Sequence, residues 1–446
     1  MSLVACADFG STYTKALLID LDDARLVATA ERRTTIDTDV MDGWAACAAE
    51  LKATNVPLIA CSSAGGGLRI AVVGNEQLVT AEAGRRVALS SGGVVVHVAA
   101  GLTQGTGDLH AARPDLVLLV GGTDGGNEQV LLDCAQVLAR DRWPTPVVVA
   151  GNADAADDVA DVLSAAAVTV VVADNVVPRI GALDPASARA AIRTVFLEHV
   201  IGGKHLSRGA QFRQAVRGAT PDVVLAGVEL LAAAVGDVVV VDVGGATTDV
   251  HSVVEVDPEP EADAPVVGAT PVSRTVEADL GMRWSARATY DRGVEAGLHP
   301  ADSALAAAAE RRVADPGWLP SDATERAEEH QLATLAVGVA LRRHAGQSRV
   351  TFGPGGRQVQ RTGTDLREVD LLVGSGGVLR HADPTSAAGV LRSATGADVP
   401  GGWQLPRAPG VVVDTDYVLV AAGLLAAEHP DVAGELLERH VARRSG

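Results

Sequence analysis

Two short stretches of this chain carry the residue types that phosphate chemistry needs. The first is Asp8-Phe9-Gly10-Ser11-Thr12-Tyr13-Thr14-Lys15, and the second is Asp242-Val243-Gly244-Gly245-Ala246-Thr247-Thr248-Asp249. Each lies between two runs of strand-forming residues. A hairpin rich in glycine and hydroxyls can aim consecutive backbone N–H groups at an anion. Ser11, Thr12 and Thr14 could add bonds to phosphate oxygens, and Asp8, at a strand end, can hold a hydrated Mg2+. The second stretch repeats this with two carboxylates, Asp242 before the turn and Asp249 beyond it, where it could act on a water or a metal-bound water. Either stretch alone also reads as a plain β-turn with an exposed Asp. Both together point further, because two facing hairpins can clamp the phosphates of one nucleotide.

A third stretch, Asp370-Leu371-Leu372-Val373-Gly374-Ser375-Gly376-Gly377-Val378-Leu379, runs an apolar strand into glycines and then a helix start. Such glycines permit close backbone approach by a ligand. After two phosphate hairpins, this turn suggests an adenosine pocket.

The elements that must position these stretches follow from periodicity. Leu3–Phe9, Thr14–Leu21 and Arg25–Glu31 read as three strands of a meander, followed by a helix over 39–54 and strands at 57–61 and 68–73. From Val94 the rhythm becomes β-α-β-α, with strands at 94–99, 116–120, 147–150 and 168–172 and helices near 128–140, 155–165 and 185–200. This predicts a parallel sheet with crossover helices. A second meander opens at Asp237, with strands 238–243 and 248–256 and an exposed loop over Asp257–Pro265, where three prolines break ladder and helix. Helices follow over about 302–344, broken at 316–320, then the strand 371–373 and an Ala-rich helix 417–428.

Composition narrows the function classes. The chain has 446 residues, 47% of them apolar and 3% aromatic, with 37 Lys plus Arg against 56 Asp plus Glu. A net charge of −19 repels phosphate backbones and anionic lipid, so neither nucleic acid nor a membrane is an expected partner. Any phosphate ligand must be held by backbone N–H groups and a metal. The N-terminal residues lack a basic run before the carboxylate at Asp8, so no signal peptide is expected. The apolar stretch 223–243 is interrupted by Glu229, Asp237 and Asp242 and fails as a membrane span. Cys6, Cys47, Cys61 and Cys134 share no C-x-x-C spacing and read as buried reduced thiols in a cytoplasmic protein.

The order hairpin, hairpin, Gly-Ser-Gly-Gly turn resembles the actin, sugar-kinase and heat-shock-protein ATPase superfamily. Within it, the two hairpin motifs, Thr275–Ala286 and Leu371–Ala382 are similar to the MutL accessory proteins of coenzyme-B12-dependent glutamate mutase. The likeness spans essentially the whole chain. It implies an α/β protein of two ribonuclease-H-like lobes with an inserted α/β subdomain. Lobe I would be residues 1–236 with the insert at about 94–205, and lobe II 237–415. Residues 416–446 would form a C-terminal helix returning to lobe I. It also implies an ATP-dependent reactivating chaperone that binds and hydrolyses MgATP to release damaged cobalamin from an adenosylcobalamin-dependent mutase. Glutamate mutase and related aminomutases both fit as client.

Carried over residue by residue, Asp8, Gly10, Ser11, Thr12, Thr14 and Lys15 form the first phosphate motif. Asp242, Gly244, Gly245, Thr247 and Asp249 form the second, and Gly374, Ser375, Gly376 and Gly377 the adenosine motif. The resemblance makes Asp8, Asp242 and Asp249 the catalytic carboxylates, with Mg2+ on Asp8 and Asp242. The helices around 224–235 and 418–427 sit where the superfamily's hinge helices belong, and Glu229 is a candidate water-positioning carboxylate. Ala246 stands where other members have a third glycine. No convincing substrate base stands out in the first lobe. A small-molecule kinase, a hydantoinase-like ATP-dependent enzyme and a nucleotide-binding scaffold remain as alternatives. Two features read as bland: Asp108-Leu109-His110, which lacks the glycine of a cobalt-ligand motif, and the turn Gly121–Glu128, which lacks dinucleotide spacing. Glu277 and Asp279 lie in the family-like segment Thr275–Ala286 without an assigned chemistry, and a solvated loop is an equal reading.

Overall fold

Two sheets of one plan are built from the Val- and Ala-rich runs. The computed structural model describes residues 2–75, 80–256, 270–353, 356–397 and 399–444. The chain opens with the expected meander, β1 (Leu3–Phe9), β2 (Tyr13–Asp20) and β3 (Arg25–Arg33). The helix Val40–Glu50 follows, its N-cap Asp39 accepting from the Met41 N–H, and then β4 (Leu58–Ser62). The chain next leaves for a second sheet made of β5 (Leu68–Gly74), β6 (Gly93–Ala100), β7 (Leu116–Leu119), β8 (Val147–Val149) and β9 (Val170–Val172). It returns as β10 (Val216–Ala219), which runs into the helix Thr220–Val235.

The first sheet has the order β10-β4-β1-β2-β3. β1 pairs antiparallel with β2 and parallel with β4, which gives the mixed ribonuclease-H-like plan. The inserted sheet is entirely parallel, in the order β6-β5-β7-β8-β9, the doubly wound arrangement. The insert therefore begins at β5 and not near Val94. A local pattern marks Leu68–Gly74 as a strand, but only its ladder to β6 and β7 decides which sheet it joins.

The second unit repeats the first. β11 (Val238–Val243), β12 (Thr248–Val253) and β13 (Val272–Glu277) form a meander. A hairpin, β14 (Ser348–Gly353) and β15 (Gly356–Arg361), was not anticipated from the sequence. β16 (Leu371–Ser375) and β17 (Gly410–Val413) complete a five-stranded sheet in the order β13-β12-β11-β16-β17. This is the same mixed plan, with β11 antiparallel to β12 and parallel to β16. β11 is central and covered on both faces, so its run Val238–Val241 is buried without alternation. Each buried Val side chain contributes about 1.5–3 kcal/mol. The helices Ser303–Ala314 and Ala323–Ala345 flank the expected break at 316–320. The predicted loop Asp257–Pro265 lies outside the described residues.

The chain divides into two compact units, one running to Leu225 and the other starting at Ala226. The division falls inside the helix Thr220–Val235, not at 236. The C-terminal helices Val418–Leu425 and Pro430–His440 group with the second unit, whereas the resemblance implies a return to the first. Phe9 meets Phe212 edge-on in the core of the first unit, their centroids 5.1 Å apart.

Candidate functional site

The first hairpin turns on Gly10. Its N–H donates to the Tyr13 carbonyl at 3.1 Å, and a Cβ there would stand 2.7 Å from that oxygen. No other residue closes the turn this tightly. Asp8 is 2% exposed, and its Oδ1 accepts from the Thr220 hydroxyl at 2.6 Å and the Cys61 thiol at 3.5 Å. Thr220 opens the helix after β10, 212 residues away, and nothing local in the sequence marks it. Ser11 is exposed and Thr12 half-buried. Thr14 is a correction. It is fully buried, with its hydroxyl 3.2 Å from that of Thr34, so it belongs to the underside of the turn. The register sets Lys15 directly opposite Asp8.

The second hairpin has the same geometry. The Gly244 N–H donates to the Thr247 carbonyl at 2.9 Å, and a Cβ on Gly244 would lie 2.8 Å from that oxygen. Asp242 faces Asp249 at the register position where Asp8 faces Lys15. Opposite charges thus face each other in the first hairpin and like charges in the second, an arrangement that costs stability unless a cation intervenes. Arg274 of β13 supplies one. Its Nη2 and Nε donate to Asp249 Oδ1 at 2.5 and 3.1 Å, while the Thr247 hydroxyl donates to Oδ2 at 3.2 Å. Sequence reasoning missed Arg274, although it adjoins the family-like segment.

Half-buried Asp242 also suits a hydrated Mg2+, which takes one or two carboxylates and fills its other positions with water and phosphate. Among the described residues no cluster of three His, Cys, Asp or Glu forms a closed metal cage.

The segment after β13 straps this turn. The Met282 and Arg283 N–H groups donate to the Gly244 and Gly245 carbonyls at 2.9 and 2.7 Å, and the Ser285 hydroxyl donates to the Ala246 carbonyl at 2.7 Å. Trp284 covers Gly245, where a Cβ would come within 2.9 Å of the indole. The Arg283 side chain reaches buried Glu329 at 2.8 Å, and Glu329 in turn holds fully buried Arg312 at 2.7 Å. Glu277 and Asp279 are not a solvated loop. Both accept from Arg343, at 2.6 Å each, and Asp279 also from Arg292. The Arg343 hydrogen bond is the main cause that holds the Asp279 carboxyl down at about 2. Burial raises the Glu277 carboxyl, against the pull of the same guanidinium.

The Gly-Ser-Gly-Gly turn lies beside the second hairpin. Ser375, buried, pairs in register with Asp242, so Asp249, Asp242 and Ser375 form one row across three strands. Gly376 has φ +94°, and a Cβ on it would stand 2.2 Å from the Val243 carbonyl oxygen. Gly374 is packed against Leu379 and Leu391, whereas Gly377 has open space around it. Beyond β17, Asp414 caps the helix Val418–Leu425 by accepting from the Val418 and Leu419 N–H groups.

A family model described as MutL protein matches residues 4–441. The chain is also 33% identical over 457 residues to "Protein MutL" of Clostridium tetanomorphum, covering 98% of both chains. It belongs to the MutL family.

Solved structures to which this MutL-family chain is similar include the following three. Nucleotide-free acetone carboxylase is 14% identical with TM-score 0.41, covering 96% of this chain and 70% of that one. A glycerol dehydratase reactivase is 13% identical with TM-score 0.34, covering 95% and 99%. A ROK family glucokinase from Streptomyces griseus, in complex with glucose and AMPPNP, is 12% identical with TM-score 0.33, covering 98% and 99%.

The remaining sequence candidates are accounted for locally. His110 lies 2.6 Å from Asp141 and packs on Trp143. The Gly121–Glu128 turn is knitted to its neighbours, with the Asn175 amide donating to Gly122 O and Asp124 and the Asn152 amide to Gly126 O. Glu229 is half-buried on its helix. All four cysteines are free and buried; burial pushes Cys6 up to about 12 and Cys47 and Cys134 up to about 11. Among the described residues, no helix is long and apolar enough to cross a membrane.

Proposed function

We propose that this MutL-family chain is an ATP-dependent reactivating chaperone of a cytoplasmic adenosylcobalamin-dependent mutase, glutamate mutase or a related aminomutase. Binding and hydrolysis of MgATP would drive release of damaged cobalamin from the client. One observation carries the nucleotide part of this reading. The same Asp-x-Gly hairpin, closed by the same glycine N–H to carbonyl bond, opens the sheet of each unit. Bound MgATP supplies a scissile phosphoanhydride and a hydrated cation. In the first unit Gly10, Ser11, Thr12 and Lys15 would bind phosphate, with Asp8 as a ligand of a hydrated ion. In the second, Gly244, Gly245 and Thr247 would bind phosphate, with Asp242 as such a ligand and Asp249 orienting the attacking water. Gly374, Ser375, Gly376 and Gly377 would line the adenosine.

The client part rests on family membership. Coupling fits a device in which hydrolysis changes a conformational state of a bound partner, so turnover is expected to be slow.

The test is ATP hydrolysis by the purified chain with Mg2+, alone and with a cobalamin-dependent mutase that carries inactive cobalamin. Slow hydrolysis coupled to recovered mutase activity, abolished in Asp242→Ala, is the expected result. Hydrolysis without recovery of glutamate mutase or an aminomutase would remove the chaperone reading and leave the ATPase. No binding of ATP would remove both.

A further inference from the structure

Arg274 is a guanidinium with 2% of its side chain exposed, on the strand next to a hairpin that carries two carboxylates. Burying that charge is costly without a partner. Its partner, Asp249, is a half-buried residue at the proposed chemical centre, not a core carboxylate. Arg274 Nε and Nη2 converge on the single oxygen Oδ1, whereas the Thr247 hydroxyl bonds the other oxygen, Oδ2.

The neighbouring cations are committed elsewhere. Arg283 bonds Met282 O and Glu329, and Arg343 bonds Glu277 and Asp279. His251, directly opposite Arg274 and two residues from Asp249, is buried, and its Nδ1 takes no hydrogen bond among the described residues. His344 is held by Ser252 and Thr275.

We propose that Arg274 is the positioning residue of the second hairpin. It clamps Asp249 through Oδ1, so that Oδ2 and the Thr247 hydroxyl present a fixed edge to the attacking water. It also offsets one of the two carboxylate charges that face each other across the ladder. Asp249 is then an orienting acceptor tied to a cation, and its geometry fails when the clamp is removed. This inference rests on the ATPase reading above and assigns that site a residue outside its sequence motif.

The experiment is steady-state and single-turnover ATP hydrolysis by the full chain and by Arg274→Lys, Arg274→Met, Asp249→Asn and the double variant Asp249→Asn/Arg274→Met. Arg274→Met is expected to lose about tenfold or more in kcat with the KM for MgATP changed less than about threefold, as for an interaction made mainly in the transition state. Arg274→Lys keeps the charge without the two-pronged geometry and is expected to fall between. If Arg274 acts through Asp249, the double variant loses less than about twofold beyond Asp249→Asn alone, a coupling that a merely structural role would not produce.

A second readout is independent of turnover. Titration of Mg2+ against ATP binding, followed calorimetrically, should show tighter Mg2+ dependence in Arg274→Met, because two carboxylates then face each other without the guanidinium. The inference is overturned if folded Arg274→Met hydrolyses ATP at the parental rate, or if the double variant loses a further tenfold or so. If Arg274→Met does not fold, Arg274→Lys decides by the same coupling to Asp249→Asn. A parental chain that binds no ATP overturns the ATPase reading itself, an outcome distinct from any difference among variants.

Discussion

Gly376 stands against Val243 so closely that a Cβ built on the glycine would lie 2.2 Å from the Val243 carbonyl oxygen. This proximity docks the Gly-Ser-Gly-Gly turn on the end of the strand that carries Asp242. Gly376 also has φ +94°, a region that disfavours any side chain. Gly376→Ala is therefore expected to destabilise the protein by more than about 2 kcal/mol. Gly377, one residue on, has no atom within 4 Å of where a Cβ would stand, so Gly377→Ala should change stability by less than about 0.5 kcal/mol. If the turn lines adenosine, Gly377→Ala still weakens ATP binding. Urea unfolding and ATP calorimetry on the two variants separate packing from binding, and equal stability losses would contradict the packing account.

Asp242 lies at the end of β11, directly opposite Asp249. Asp242→Asn removes a carboxylate from the proposed cation site, and the Mg2+ needed for half-maximal ATP hydrolysis should rise about tenfold or more. An unchanged Mg2+ requirement would take Asp242 out of that site.

Burial holds His344 neutral, with its pKa lowered from 6.5 to about 4, and His251 is shifted the same way by burial and by Arg274. Above pH 6.5 the folded and unfolded chains both carry neutral imidazole, so pH acts little through these groups. Between 6.5 and about 4 the unfolded chain takes up protons that the folded chain refuses, and stability falls with pH across that window. Unfolding midpoints from pH 7 down to about 4.5 should decline, and His344→Gln should flatten the decline. An unchanged slope in His344→Gln would assign the acid sensitivity elsewhere.

Arg312, fully buried, shares Glu329 with Arg283, whose own N–H holds the second hairpin turn. Arg312→Met leaves Glu329 with Arg283 as its remaining guanidinium but orphans Oε2, so it should cost about 2 kcal/mol in urea unfolding. Arg312→Met/Glu329→Leu strips Arg283 of its carboxylate as well and should cost more than the single variant. Recovery of stability in the double variant would argue that Glu329 serves Arg312 and not Arg283.

Four buried thiols, three of them raised to about 11 or 12 and Cys61 also raised well above the ordinary value, should be inert in the native protein. A chromogenic disulfide reagent at about pH 8 should react only after denaturation. Rapid reaction of one thiol in the native protein would place it in an opening segment.

The amino-acid sequence by itself determined the hairpins. Asp8-x-Gly10 and Asp242-x-Gly244 are legible because a two-strand turn closes within a few residues, and only glycine fits the carbonyls of Tyr13 and Thr247. The meanders and the alternation of strand and helix in the insert were legible for the same reason, as local periodicity. Tertiary structure alone decided that β5 belongs to the inserted sheet and that Thr14 faces inward. It also decided that Thr220 bonds Asp8 across 212 residues and that Arg274 clamps Asp249. Each of these depends on which strand lies beside which and in what register. That information resides in long-range ladders, where a shift of one residue turns every side chain to the opposite face.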